Sequence, residues 1–331
     1  MGRETKYGVI SDIHKDPRIA SIAVEVLKSK GAEKLLVNGD IGDRQTTLED
    51  TRNYTAIILD AIAKSGLESF VQPGSHEALL SYGVVMDQFA GQYSNIIDTT
   101  RNQEIDQDGH KLVFLPGSDF LSGGEYQIGS DERIPSGRYI ETEKGLLKFE
   151  KFEEYALAMH EGIGTKGSQY FNMNDLRKMV TQPEKTIIVC HVPRKFDNLE
   201  TTVDMAEFWE ATEDFYYKGN EVKKGSVYPL SVAKPISDAG YPIILKRENR
   251  GNEDLRDLYE EIGITKAVTG HFHESGHRAN DRNGNHVQEG AYVNDLFWNS
   301  GHLDVGQTGI LTVNGNKVSY ENIRLQDYSN Q

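Results

Sequence analysis

The chain has 331 residues, with 51 acidic against 36 basic side chains, a net charge of −15 and a single cysteine, Cys190. An acidic surface repels a phosphate backbone and no long Lys/Arg run supplies a basic patch, so extended nucleic acid is disfavoured as a partner. One cysteine excludes an internal disulfide, in keeping with a cytoplasmic setting; no charged, apolar leader precedes the first strand and no apolar run approaches the roughly 20 residues that cross a bilayer, so no membrane association is expected.

In chain order, Tyr7–Ile10 reads as a strand, Arg18–Ser29 as a helix, Lys34–Asn38 as a strand, Leu48–Lys64 as a helix, Ser69–Gln72 as a strand and Glu77–Phe89 as a helix. This alternation predicts a parallel sheet with right-handed crossovers. The pattern then turns mixed, with strands at Lys111–Leu115, Tyr139–Phe149, Thr186–Cys190 and Lys266–Thr269. A closing hairpin is signalled by Gly309–Val313, the turn Asn314-Gly315-Asn316 and Lys317–Leu325.

Two stretches exceed what one core needs. The first, about residues 117–182, opens with Gly/Ser-rich sequence over Gly117–Arg138 and reads as helical from there to about Val180. The second, about residues 193–241, carries Phe208, Trp209, Phe215, Tyr216, Tyr217 and Tyr228. Connections of this length are usually lids or mobile segments. Such aromatics either stack on a base or aryl group or, more simply, pack the insertion's own helix against the core.

Five ligand-rich segments each follow a strand-like run: Asp12-Ile13-His14, Gly39-Asp40, Gly74-Ser75-His76-Glu77, His191 and Gly270-His271-Phe272-His273. Residues two apart on extended chain project the same way, so Asp12 with His14, and His271 with His273, can each grip one locus. Carboxylate oxygen and imidazole nitrogen suit borderline divalent ions, and Asp40, behind a glycine that lets the backbone turn sharply, is placed to bridge two of them. Residues drawn from 12 to 273 must converge, so one domain spanning 1–331 is expected although length alone suggests two. Any one of these histidines is ordinary by itself; the clustered set is best explained by metal. His110, His160, His277, His286 and His302 fit no slot and read as structural, with His277 nearest the last motif. Cys190 precedes a proposed ligand and by alternation points the other way, into the core.

The five motifs, in this order and at these intervals, resemble the calcineurin-like metallophosphoesterases, and Asn299-Ser300-Gly301 echoes a short Gly/Ser turn that the family often carries before its last strands. The resemblance implies an α/β fold of two mixed sheets packed as a sandwich and flanked by helices in four layers. It implies that Asp12, His14, Asp40 and His273 hold one divalent ion, and Asp40, Ser75, His191 and His271 a second, drawn from Mn, Fe, Zn or Ni. It further implies hydrolysis of a phosphate ester, a small phosphodiester or nucleotide, by a water or hydroxide bridging the ions, with Asp40 anchoring both and His76 protonating the leaving group. Ser75 stands where the family has asparagine, a longer neutral oxygen donor, so the second ion is expected to be the looser. That single departure carries the alternative of a catalytically weakened metal- or protein-binding scaffold. Gly39-Asp40-Ile41-Gly42-Asp43-Arg44 resembles the corresponding run of serine/threonine phosphoprotein phosphatases, a second substrate class; Arg44 is then either a forked phosphate clamp or a solvated surface arginine.

Overall fold

The computed structural model describes residues 3–107, 109–119, 124–197 and 199–328. The chain begins β1 (Thr5–Ile10), α1 (Ile19–Ser29), β2 (Lys34–Asn38), α2 (Leu48–Lys64), β3 (Glu68–Gln72), α3 (Val84–Gln92) and β4 (Ile96–Asp98). Thr47 caps α2 by accepting the Asp50 N–H at 3.0 Å, and Glu49 and Asp50 favour the positive end of its dipole. The helix expected from Glu77 starts later. The Glu77 carboxylate turns inward to backbone N–H groups, and the chain enters α3 through a wide π turn at Leu79–Gly83.

Next come β5 (Glu104–Gln107), β6 (His110–Leu115), β7 (Tyr126–Gly129), β8 (Gly137–Thr142), β9 (Gly145–Phe149), α4 (Phe152–His160), β10 (Lys166–Asn172), α5 (Leu176–Met179) and β11 (Thr186–Cys190). The remainder is β12 (Met205–Ala211), β13 (Phe215–Tyr217), β14 (Asn220–Val222), β15 (Val227–Pro229), α6 (Leu230–Asp238), β16 (Ile243–Asn249), α7 (Glu253–Ile262), β17 (Lys266–Thr269), β18 (Ala279–Asn280), β19 (Leu296–Asn299) and the closing hairpin β20 (Gln307–Asn314) and β21 (Lys317–Arg324).

Two six-stranded mixed sheets form the body, in the orders β21-β20-β1-β2-β3-β4 and β18-β19-β17-β11-β6-β5. Strands β1 to β4 are mutually parallel, as are β19, β17, β11 and β6. Alternation sorts their side chains into two layers of core. Tyr7, Val9, Leu36 and Phe70 of the first sheet meet Leu112, Phe114, Ile187, Val189, Val268 and Trp298 of the second. The odd-even partners Ile10, Leu35 and Val37, and Ile188 and Cys190, face outward and join clusters with α1, α2 and α7. Trp298 is fully buried in the inter-sheet layer and its indole N–H donates to Asn322 at 3.0 Å. An aromatic of this size buries about 150–250 Å², which at about 25 cal/mol per Å² is roughly 4–6 kcal/mol toward holding the sheets together. The sandwich flanked by helices is thus the architecture that the motif resemblance implies.

The insertions differ from expectation. The first is mostly sheet, ordered β7-β10-β8-β9, with α4 as its one long helix. Its strands are four to seven residues long with polar alternate positions, so no extended apolar period marks them. The expected single strand Tyr139–Phe149 folds back as a hairpin that pairs Thr142 with Gly145, because Gly145 takes a left-handed φ of 113°. Residues 120–123 of the Gly/Ser-rich stretch lie outside the described residues. The second insertion runs on to Asn249 as a sheet β15-β12-β16 and a hairpin β13-β14. Its aromatics do not pack a helix against the main core. Trp209, Phe215, Tyr217 and Tyr228 close over a separate cluster of Ala211, Val222, Ala233, Ile236 and Ile243, while Tyr216 is 67% exposed. Residue 198 of this stretch lies outside the described residues.

Candidate metal centre

Every motif loop leaves the C-terminal end of a parallel strand: β1, β2 and β3 in one sheet, β11 and β17 in the other. These ends meet at one edge of the sandwich, where an α/β framework leaves loops open over a rigid base. Three site residues hold left-handed backbone, Asp12 (φ 58°), Asp40 (φ 54°) and His271 (φ 69°). Such conformations in non-glycine residues cost of order 1–3 kcal/mol each and persist where the surroundings over-determine them. The glycines of the motifs are set by contact. A Cβ on Gly39 would lie 2.7 Å from His191 Nδ1, and one on Gly74 would run into the Asp40 carboxylate.

Three overlapping triplets result: Asp12, His14 and His273; His14, Asp40 and His76; and Asp40, His191 and His271, with ligand atoms in each within 4.8 Å of one another. His273 Nε2 lies 3.2 Å from Asp12 Oδ1, His191 Nε2 lies 3.1 Å from Asp40 Oδ2, and His14 Nε2 lies 3.9 Å from the same oxygen. Asp12, Asp40 and His191 are buried, whereas the His76 side chain is 47% exposed. Asp12, His14 and His273 thus lie together, as do Asp40, His191 and His271. His76, expected only as an acid, also reaches toward the shared carboxylate.

The tautomer of His191 is fixed. Its Nδ1 sits 2.8 Å from the Asn38 carbonyl and must donate there, so Nε2 presents its other valence to Asp40 and Asp12. That Nε2 is buried without a well-formed hydrogen bond, as is Nδ1 of His14. An imidazole pinned through one nitrogen with the other aimed at carboxylates is the arrangement that holds a cation. The donor set fits divalent metal.

Electrostatics point the same way. Burial works against ionised Asp12, yet the facing His191 and His273 hold it below the usual carboxylate range. Asp40 is likewise buried and is held well below that range by His191, His76 and His14. His191 is buried but is raised to about 10 by Asp40 and Asp12. His271, desolvated and beside that cation, falls to about 4, and burial also lowers His14. Without metal, His191 and the likewise raised His273 offset the two carboxylates, while burial disfavours the charged forms of His14 and His271 and so favours the neutral form that ligates metal.

Several residues to which the sequence assigned no bracing role support the site. Glu77 accepts N–H bonds from Ile41 (2.5 Å), Gly42 (2.9 Å) and Gly74 (2.7 Å), locking the Asp40 loop to the Ser75-His76 loop; desolvation and the charge of Asp40 raise it to about 7. Asp43 holds His76 Nδ1 at 2.9 Å, and this bond raises His76 to about 9. Asp304 accepts the N–H of His14 at 3.0 Å. Asn299 Nδ2 donates to the carbonyls of Gly270 (3.1 Å) and Phe272 (3.0 Å), which gives the Asn-Ser-Gly echo a role: it braces the last ligand loop. Asn38 and Gln72 carry polar links from the first sheet to the Cys190 and Val189 carbonyls of the second, directly beneath the site.

Ser75 is at the centre but is turned to the bridge position. Its hydroxyl donates to Asp40 Oδ2 at 2.9 Å and its N–H to Oδ1 at 2.5 Å. Arg44 is exposed beside Asp43. Among the histidines assigned no slot, His302 is a correction: its ring stacks on His273 with centroids 4.3 Å apart and planes within 6°. The reason is that β19 runs parallel to β17, so its exit loop falls beside the ligand loop of β17. His277 bonds the Thr308 carbonyl at 3.0 Å instead, and His110 pairs with the Tyr7 hydroxyl at 2.7 Å in the core.

No protein-family model matches the chain, and no curated protein is similar enough to match. Among solved structures, one from Thermus thermophilus is 12% identical with a TM-score of 0.49, over 98% of this chain and 100% of that one. A dimetal phosphatase from Danio rerio is 12% identical with a TM-score of 0.46, over 97% of this chain and 99% of that one. A purple acid phosphatase from yellow lupin (Lupinus luteus) seeds is 10% identical with a TM-score of 0.42; the match covers 99% of this chain but 52% of that longer one. Each is a likeness of overall chain path.

Proposed function

We propose that the protein is a binuclear metal-dependent phosphoesterase acting on a small phosphate ester. One observation carries the reading: two buried carboxylates, Asp12 and Asp40, sit within a shell of five imidazoles whose ligand atoms fall into three overlapping triplets, two of which contain Asp40. Asp12, His14 and His273 would hold one ion and His191, His271 and Ser75 the other, with Asp40 shared. Divalent ions held there, Mn, Fe, Zn or Ni, supply an acidified water and neutralise phosphoryl oxygens.

The protein's own part is positional and acid–base. Glu77 and the Asn38 carbonyl fix the loops and the His191 ring, so the donors stay preorganised. His76, kept protonated by Asp43, faces the shared carboxylate from the open side and would give its proton to the departing oxygen, worth about 10²–10⁴ in rate. The net charge of −15 supports a small ester over an extended nucleic acid. The free, buried Cys190 is in keeping with a cytoplasmic protein, and no described helix is long and apolar enough to cross a membrane.

A phosphoprotein substrate is supported by Asp43-Arg44 alone, and Asp43 is engaged by His76. A weakened scaffold is supported by Ser75 alone. The test is metal analysis of the purified chain together with turnover of chromogenic phosphate mono- and diesters. Two ions per chain and faster diester turnover are expected; a chain that neither binds divalent metal nor hydrolyses either ester overturns the reading.

A further inference from the structure

The connection from β19 to β20 is tied to both loops that supply Asp12, His14 and His273. At its start Asn299 braces the last ligand loop, and the Asn299 side-chain oxygen takes the Gly301 N–H at 2.9 Å. One residue past His302, the fully buried Leu303 donates its N–H to the carbonyls of Ser11 and Asp12, each at 3.1 Å. Asp304 then accepts the N–H groups of His14 and Lys15, both at 3.0 Å. His302 thus sits between anchored neighbours, and its own N–H reaches Gln307 Oε1 at 3.4 Å. The backbone places the ring, because its Nδ1 is buried with no partner among the described residues.

What this ring offers its neighbours is a face. It lies on His273 with centroids 4.3 Å apart and planes within 6°, while His14 approaches His273 at 5.2 Å with a tilt of 38°. His302 belongs to none of the three triplets of ligand atoms, so it stands behind a ligand and is not one itself. The use of such a contact follows from comparing His273 with His191. The His191 ring is held from behind by its Nδ1 bond to the Asn38 carbonyl, the usual way to orient a metal-binding imidazole. His273 meets Asp12 Oδ1 through Nε2 at 3.2 Å, but among the described residues no hydrogen bond holds its Nδ1, and its side chain is 36% exposed. A ring held through one nitrogen can turn about that contact. A parallel ring packed on its face removes the freedom.

We propose that His302 is a positioning residue of the metal centre: its stacked ring stands in for the hydrogen bond that His273 lacks and keeps His273 Nε2 aimed at the locus of Asp12 and His14. The proposal rests on the metal-centre reading of that triplet. Only the ion held there should feel it.

The test is Mn²⁺ binding followed by the electron paramagnetic resonance of the free ion, without substrate or turnover. His302→Ala is expected to weaken one Mn²⁺ by about tenfold, the low end of the 10–100-fold typical of residues that orient ligands, and to leave the other unchanged. His302→Leu, which fills the space without a flat ring, should weaken the same ion. His302→Phe, which keeps a flat ring without nitrogens, should restore the wild-type isotherm. In a His273→Asn chain, His302→Ala should add nothing, since the two residues act as one unit. Wild-type binding in the Leu variant, or equal weakening by Leu and Phe, overturns the stacking role. So does weakening of both ions together, or the same loss with His273 already replaced, either of which marks a general loosening of the connection. A wild-type chain that binds no Mn²⁺ sinks the metal-centre reading and the proposal with it, whereas the other adverse results sink the proposal alone.

Discussion

Replacing Asp40 by asparagine keeps the shape of the side chain and removes the charge on which both halves of the site depend. The carbonyl oxygen of asparagine can still accept the N–H groups of Ser75 and His76, so the loop should hold. What is lost is the partner of His191. Burial alone would lower that imidazole, but Asp40 and, at longer range, Asp12 raise it from 6.5 to about 10. A raised base contributes stability that is complete below pH 6.5 and lost as pH rises through 10, so at pH 7 nearly all of it, about 4 kcal/mol, is present. Asp40 is the nearer carboxylate, at 3.1 Å against 3.9 Å for Asp12. Its removal should therefore cost about 3 kcal/mol, in line with about 3–5 kcal/mol for breaking a buried pair. At about 2.1 cal/mol/K per residue the unfolding entropy of 331 residues is about 0.7 kcal/mol/K, so the metal-free variant should melt about 4 °C below the wild type. Excess Mn²⁺ should widen the gap, because ligand binding stabilises only the chain that binds it. Melting curves with chelator and with Mn²⁺, and metal content by mass spectrometry, decide the matter. An Asp40→Asn chain that melts within a degree of wild type and gains as much from Mn²⁺ would refute both the pairing and the shared-ligand assignment.

What the sequence disclosed and what it hid divide along physical lines. Asp12, His14, Asp40, His191, His271 and His273 were legible because each closes a short apolar strand, and the strands are buried on both faces, so the run and its end are sharp. The backbone beneath was legible for the same reason, with β2 and α2 starting and ending where pattern and cap place them. Glu77 was visible only as a motif letter. Its work is done through backbone N–H groups of Ile41, Gly42 and Gly74, and no side-chain pattern marks a backbone partner. Asp304 and His302 were hidden by distance in the chain. They reach the site because β19 and β20 flank it in different sheets, a fact of topology rather than of local sequence. The insertions failed at the level of period. Strands of three to seven residues with polar alternate positions leave no signal that competes with the nine-residue helices α4 and α6 beside them.

Restoring the longer amide with Ser75→Asn should place a neutral carbonyl oxygen where the hydroxyl now bonds Asp40 at 2.9 Å, tightening the looser of two metals. Activity should rise at limiting Mn²⁺ and change little at saturation; identical titration curves would remove Ser75 from the site. Trp209→Ala should destabilise the β12–β16 insertion by about 2–4 kcal/mol, since the indole covers that unit's own small core, and should move KM for aryl and compact esters alike. A selective rise in KM for aryl esters would show instead that Trp209 faces substrate. His76 and Asp43 allow the sharpest test, because one gives the proton and the other only sets when it is available. His76→Gln should cost about 10²–10⁴ in kcat for an alkyl leaving group and little for p-nitrophenolate, which departs without a proton. With Asp43 in place, His76 stays protonated until about pH 9, so kcat for alkyl esters should hold through neutrality and fall above that value. In Asp43→Asn the amide oxygen can still accept from His76, but the carboxylate charge that strengthens that bond and raises the imidazole is gone, so the fall should move toward the ordinary 6.5 while metal content and p-nitrophenyl turnover stay as they were. A profile that does not move, or equal losses for both leaving groups, would take the acid role away from His76 and leave Asp43 a purely structural partner.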